Sequence, residues 1–99
     1  MKIIKKTENG KTVYRLNGKT KLYPICKWEE NQHKIYNAYD IAMIYCCEKD
    51  WSDDAQAKLE LAEKMLEIIN GIIINGVVYG TWEQYKLIKD CTAAYDARH

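Results

Sequence analysis

The residues of this 99-residue chain that could do chemistry are four cysteines (Cys26, Cys46, Cys47, Cys91), two histidines (His33, His99) and fourteen carboxylates. A zinc site needs ligands in closely spaced pairs. No C-x-x-C occurs, and neither histidine supplies the missing spacing. Cys46 and Cys47 are adjacent in a helix-like run, where successive side chains diverge by about 100°. Nothing around His33 orients it toward a thiol as a nucleophilic pair requires. No Walker loop, G-x-G-x-x-G, H-E-x-x-H or G-x-S-x-G is present, and the lone serine, Ser52, stands where a helix needs a cap. The expectation is a protein without catalytic residues, metal or cofactor. Its thiols are expected to be reduced, since Met1 leads into Lys2-Ile3-Ile4-Lys5-Lys6 with no export-type apolar segment behind it, and at least two of them to be buried.

Charge is the stronger signal. The net charge is only +1, but it is unevenly spread. Residues 1–27 carry eight basic residues and one acid, a net +7; residues 28–67 carry four lysines and ten acids, a net −6; the remainder balances. This excludes a uniformly acidic nucleic-acid mimic and a uniformly basic binder. Such polarity is either internal compensation, a basic sheet beside an acidic helix, or a field that steers a charged partner. Apolar residues make up 47% and charged residues 29%, which fits one folded domain over 1–99 rather than a disordered chain. No apolar run approaches the 18–20 residues of a membrane span.

The elements that must position these charges are marked by glycine. Asn9-Gly10, Asn17-Gly18 and Asn75-Gly76 separate strand-like runs, and Asn-Gly suits the positive φ angles of a type I′ hairpin. Residues 2–7, 11–16 and 19–26 therefore read as an antiparallel meander. A two-residue turn at Asn17-Gly18 would set Leu16 opposite Lys19, Tyr14 opposite Lys21 and Val13 opposite Leu22. Pro24 marks an edge or the end of regular pairing, and residues 33–36 read as a short extra strand. A first helix is expected from Asn37 to about Lys49, apolar on all sides from Ile41 to Cys47 and so buried between layers. A second follows Ser52, with Asp53 and Asp54 at its positive end. In it Ala55, Leu59, Ala62, Leu66 and Ile69 step by 4, 3, 4, 3, the spacing of a core-facing stripe that Met65 and Ile68 widen. Asn70-Gly71 reads as its C-terminal cap. Residues 72–74 and 77–79 form a hairpin, and Thr81-Trp82-Glu83-Gln84 is a capping box opening a last helix to about Tyr95. Trp82, Tyr85, Ile88, Cys91 and Tyr95 share one side of it, either packed on the core or partly open as an aromatic binding face. The fold class is α+β: an N-terminal antiparallel β-meander, two helices, a short β-hairpin and a C-terminal helix.

Two candidate surfaces follow. Asp53, Asp54, Glu60, Glu63 and Glu67 form an acidic row along a helix about 25 Å long, fit to contact a basic groove of a protein partner; the same row also suits an ordinary solvent face. Lys5, Lys6, Lys11, Tyr14, Arg15, Lys19, Lys21 and Tyr23 interleave basic and aromatic groups on the meander, a pattern that can hold phosphates and stack bases.

The run Gly76-Val77-Val78-Tyr79-Gly80-Thr81-Trp82-Glu83-Gln84-Tyr85, with the small size and a Lys-, Ile- and Tyr-rich composition typical of AT-rich codons, resembles the short accessory proteins of phages and mobile elements in low-GC Gram-positive bacteria. That group includes anti-CRISPR inhibitors. The resemblance implies a non-enzymatic, single-domain protein of the bacterial cytoplasm that blocks a nucleic-acid-guided nuclease complex by occupying its surface. A small nucleic-acid-binding regulator using the meander is the alternative, and a self-assembling structural protein a third. The oligomeric state is left open.

Overall fold

The computed structural model describes residues 2–28, 38–48 and 54–98. The chain runs β1 (Ile3–Glu8), β2 (Lys11–Leu16), β3 (Thr20–Lys21), β4 (Tyr23–Lys27), α1 (Ala38–Glu48), α2 (Ala55–Ile69), β5 (Ile72–Ile74), β6 (Val77–Gly80) and α3 (Trp82–Arg98). It is an α+β fold with two antiparallel three-stranded sheets, ordered β1-β2-β3 and β4-β6-β5.

The three Asn-Gly turns do what their sequence demands. Asn9, Asn17 and Asn75 have φ between 51° and 56°, and each following glycine lies at 75–77°, the pairing that a type I′ turn requires. Two of them join their strands without slack, setting Glu8 opposite Lys11 and Ile74 opposite Val77. The third departs from expectation. Beyond Asn17-Gly18 an extra residue, Lys19, enters the loop, so that Leu16 faces Thr20 and Arg15 faces Lys21. Lys19 N donates to Leu16 O at 3.0 Å, and Leu22 N donates to Tyr14 O at 2.9 Å. A one-residue slip of this kind moves side chains to the other face, so Leu22 is aligned with Tyr14 and not with Val13.

The expected third strand is two strands. It leaves the meander at Leu22, which is buried, and β4 pairs with β6, Tyr23 opposite Gly80 and Lys27 opposite Val77. Pro24 sits on this edge strand, next to a register shift between Pro24 and Cys26, which is where a residue without an N–H does least harm. The expected strand at 33–36, the start of α1 at Asn37 and its end at Lys49 lie outside the described residues.

The helices close over the β4-β6-β5 sheet. α1 packs on α2 and α3, α3 on β4 and β6, and α2 on β6. Their core joins Ile25 and Val78 from the sheet to Ile41, Ala42 and Cys46 of α1, Leu61, Met65 and Ile68 of α2, and Ile88 and Cys91 of α3. The β1-β2-β3 meander extends from this body. The molecule measures 45 × 23 × 22 Å with a radius of gyration of 14.6 Å, above the ~13 Å of a compact chain of this length.

Two helix faces differ from expectation. In α1, Ile41, Ala42 and Cys46 are buried, but Tyr39, Met43 and Cys47 are exposed, so the helix has an outer side. In α2 the buried line is Leu61, Ala62, Met65 and Ile68, while Leu59 and Leu66 are exposed and Ile69 is partly covered. The helix caps with Asp54, whose Oδ1 accepts from Ala57 N at 2.9 Å, two residues after the expected Ser52. At its far end Asn70 N and Nδ2 both donate to Leu66 O. Gly71 has no positive φ; its missing Cβ matters because one would lie 2.9 Å from Glu67 O.

Cys46 and Cys91 are fully buried thiols, whereas Cys47 is exposed. Burial raises the Cys46 thiol and pushes Cys91 up to about 12, so both are poor nucleophiles at neutral pH. Iodoacetamide is expected to modify Cys47 rapidly in the native protein, and Cys46 and Cys91 only in denaturant, as read by intact mass. The buried Cys91 also sets a pH dependence. Its folded value lies above the ordinary thiol value of 9, so its stabilisation is complete below that pH and fades as pH rises toward 12. Cys91→Ala should flatten part of that alkaline decline; fast native labelling of Cys91 at pH 7 would contradict its placement.

Candidate functional site

The acidic row is present on α2. Glu60, Glu63 and Glu67 are all exposed, successive turns of one helix holding them on one side. Glu60 accepts from Gln56 Nε2 at 3.2 Å, a turn before it, rather than pairing with Lys64 as i,i+4 spacing allows. Asp54 belongs to the row by position, but its carboxylate is occupied with the helix cap. Asp53 lies outside the described residues. Beside the acids stand Leu59 and Leu66, 44% and 50% exposed, two turns or about 10.5 Å apart. The outer side of α2 is thus a pair of open leucines flanked by carboxylates. A shallow groove on the adjoining flank, lined by Lys64, Glu67 and Ile68 of α2 and Glu83, Gln84 and Leu87 of α3, continues this surface to the last helix.

The basic meander is less uniform than its sequence implies. Lys5, Lys6, Lys11, Lys19 and Lys21 are exposed. Arg15 is not available in the same way. Its Nε and Nη2 donate to the two oxygens of Glu8 at 2.7 and 2.8 Å, and Nη1 donates to Lys19 O at 2.9 Å. This two-pronged clasp holds the Glu8 carboxyl below its ordinary value, with the Arg15 hydrogen bond as the main cause. Arg15 braces the meander, tying β2 to the end of β1 and to the Lys19 loop. Tyr14 turns toward β6, its ring meeting Tyr79 edge-on at 5.2 Å.

The fold gathers a third group that the sequence did not place together. Tyr23 opens β4 opposite Gly80, two residues before Trp82. The Thr81–Gln84 capping box, Thr81 N to Gln84 Oε1 at 3.0 Å and Gln84 N to Thr81 Oγ1 at 3.4 Å, fixes the first turn of α3. Trp82 and Tyr85, three residues apart on that helix, stack at 5.7 Å with 20° between their planes. Tyr23 meets Trp82 edge-on at 5.4 Å and lies 5.9 Å from Tyr85. Lys21 Nζ sits 5.2 Å from the Tyr23 ring centre, and Lys89 Nζ 5.5 Å from that of Tyr85, both within cation–π range. Trp82 is 53% exposed, so the expected aromatic face of α3 is divided. Ile88 and Cys91 are buried in the core, while Trp82 opens to water beside two lysines. Of this cluster Lys21 and Tyr23 belong to the basic meander candidates, and Trp82 and Tyr85 to the aromatic side of the last helix that the sequence offered as a core face or a binding face; Lys89 was not among the candidates.

Among the described residues, no group of three or more His, Cys, Asp or Glu side chains converges as a metal site, and no helix is long and apolar enough to cross a membrane. No protein-family model, curated protein or solved structure matches this chain.

Proposed function

We propose that this protein is a non-enzymatic protein-interaction module that docks through the outer side of α2, with a host CRISPR nuclease complex as the partner class that the resemblance implies. The observation that carries the reading is the exposure of Leu59 and Leu66 beside Glu60, Glu63 and Glu67. Leucines left open on a helix gain by being covered, and full burial of one is worth about 1.5–3 kcal/mol. Apolar anchors rimmed by charge are the anatomy of an interface. The carboxylate row selects a basic groove, such as the channel in which a nuclease holds its nucleic acid, and opposite charge speeds the encounter.

The test is Glu60→Lys, Glu63→Lys and Glu67→Lys made together. These surface changes should leave the thermal midpoint nearly unchanged. With a purified CRISPR effector, the parent protein is expected to slow target cleavage, and the triple variant to lose both affinity and most of the salt dependence of binding. A parent protein without effect on the nuclease overturns the partner class. A triple variant that binds its partner like the parent, while Lys5→Glu, Lys19→Glu and Lys21→Glu together abolish binding, moves the contact to the meander.

A further inference from the structure

We infer that the Tyr23–Trp82–Tyr85 cluster, with Lys21 and Lys89 against it, is a binding platform for single-stranded nucleic acid. The platform is separate from the α2 surface and does not depend on it. Three observations converge. First, the rings are pre-organised: Trp82 and Tyr85 are stacked, with Tyr23 edge-on to Trp82, so a base stacking on the open part of Trp82 meets an indole already held in place. Second, cations sit against both tyrosines, Lys21 over Tyr23 and Lys89 over Tyr85. Lys86, one turn beyond Trp82, and Lys19, at the tip of the neighbouring turn, are exposed as well. Third, Glu83, the acid next to Trp82, lines the groove toward α2 with Gln84 and Leu87. Aromatic faces flanked by ammonium groups are the pattern that binds bases by stacking and the backbone by charge.

The same features select the form of nucleic acid. A duplex hides the faces of its bases, so the ring that makes this site distinctive would add nothing to duplex binding. The one arginine of the meander, a usual reader of duplex base edges, is held by Glu8. Lysines supply point charge without a base code, so binding should be tolerant of sequence. A protein partner is the less fitting occupant: the Glu8 carboxylate near Lys21 is already clasped by Arg15, and rings beside ammonium groups suit a base and its phosphate.

Fluorescence anisotropy with a labelled 12-nucleotide oligothymidylate and its duplex counterpart tests this in purified full-length protein. The single strand should bind more tightly than the duplex. Trp82→Ala should weaken it about 10-fold or more, within the range of one stacked base, while Trp82→Phe retains most of the affinity. Lys21→Gln with Lys89→Gln should lower the slope of log affinity against log salt by about 1.4, since each single-strand phosphate contact contributes about 0.7. If Trp82→Ala disturbs the fold, the lysine pair still decides, because both residues are exposed. The Glu60, Glu63 and Glu67 charge variant should bind the oligonucleotide no more weakly than the parent, which separates this site from the α2 surface. Equal affinity for single strand and duplex, or an affinity indifferent to both Trp82 and the lysine pair, overturns the proposal. So does absence of oligonucleotide binding together with loss of a protein contact in Trp82→Ala, which would assign the platform to a protein instead.

Discussion

Met65→Ala is expected to destabilise the fold by about 2–5 kcal/mol, and Leu66→Ala, one residue along, by less than about 1 kcal/mol. Met65 is fully buried, among the largest side chains in the core, on the side of α2 that carries Leu61 and Ile68. Truncating it removes three heavy atoms from a site walled by α1 and the sheet, and close-packed surroundings relax only partly into the space. Leu66 is half open to water, so its truncation leaves no enclosed cavity. Urea denaturation of the two variants measures the difference as a shift in midpoint at unchanged slope. Equal losses would mean that α2 is rotated about its axis, which would also cover the leucines on which the proposed interface rests.

That contrast shows where the sequence is informative and where it is not. α2 has apolar residues at 59, 61, 62, 65, 66, 68 and 69, enough for two overlapping stripes. The 59–62–66–69 stripe has the regular 4–3 spacing, but the stripe that is buried is 61–62–65–68. Periodicity identifies a helix with an apolar side; which of two adjoining lines is covered is settled by α1 and β6 pressing on it, and neither contact is local. Features decided within a few residues were legible: the Asn-Gly turns, the β5–β6 hairpin, the capping box at Thr81–Gln84 and the edge position of Pro24. The Asn17-Gly18 turn was legible as a turn but not in its register, because the extra residue Lys19 changes pairing without changing the turn signature. The departure of the chain at Leu22 was not legible, since nothing near Leu22 announces that β4 will pair with β6. For the same reason the acidic row on one helix could be read from spacing, whereas the aromatic platform could not. Tyr23 reaches Trp82 only because Tyr23 pairs with Gly80.

That pairing makes Gly80 the site of the second large effect. Gly80→Ala should cost roughly 1–3 kcal/mol, the range for overfilling a packed site. Gly80 is buried at the end of β6, and its φ is not positive, so the demand for glycine there is spatial. A Cβ would stand 2.8 Å from Gln84 Oε1, 3.0 Å from Ile25 Cδ1 and 3.1 Å from Gln84 Cβ. Gln84 Oε1 is the acceptor that satisfies Thr81 N at the start of α3. Pushing it aside adds the loss of a cap, typically about 1 kcal/mol, to the steric cost. Ile25 belongs to the core cluster and has little freedom to retreat. The two contributions separate in a double-mutant cycle. Gln84→Ala alone loses the cap, and in its background Gly80→Ala meets only Ile25 and the Cβ of residue 84. The double variant should therefore be more stable than the sum of the single losses implies, by about 0.5–1 kcal/mol. Strict additivity would show that Gly80 and Gln84 are not in contact, and that the first turn of α3, with Trp82 and Tyr85 on it, is not held against β6 as described.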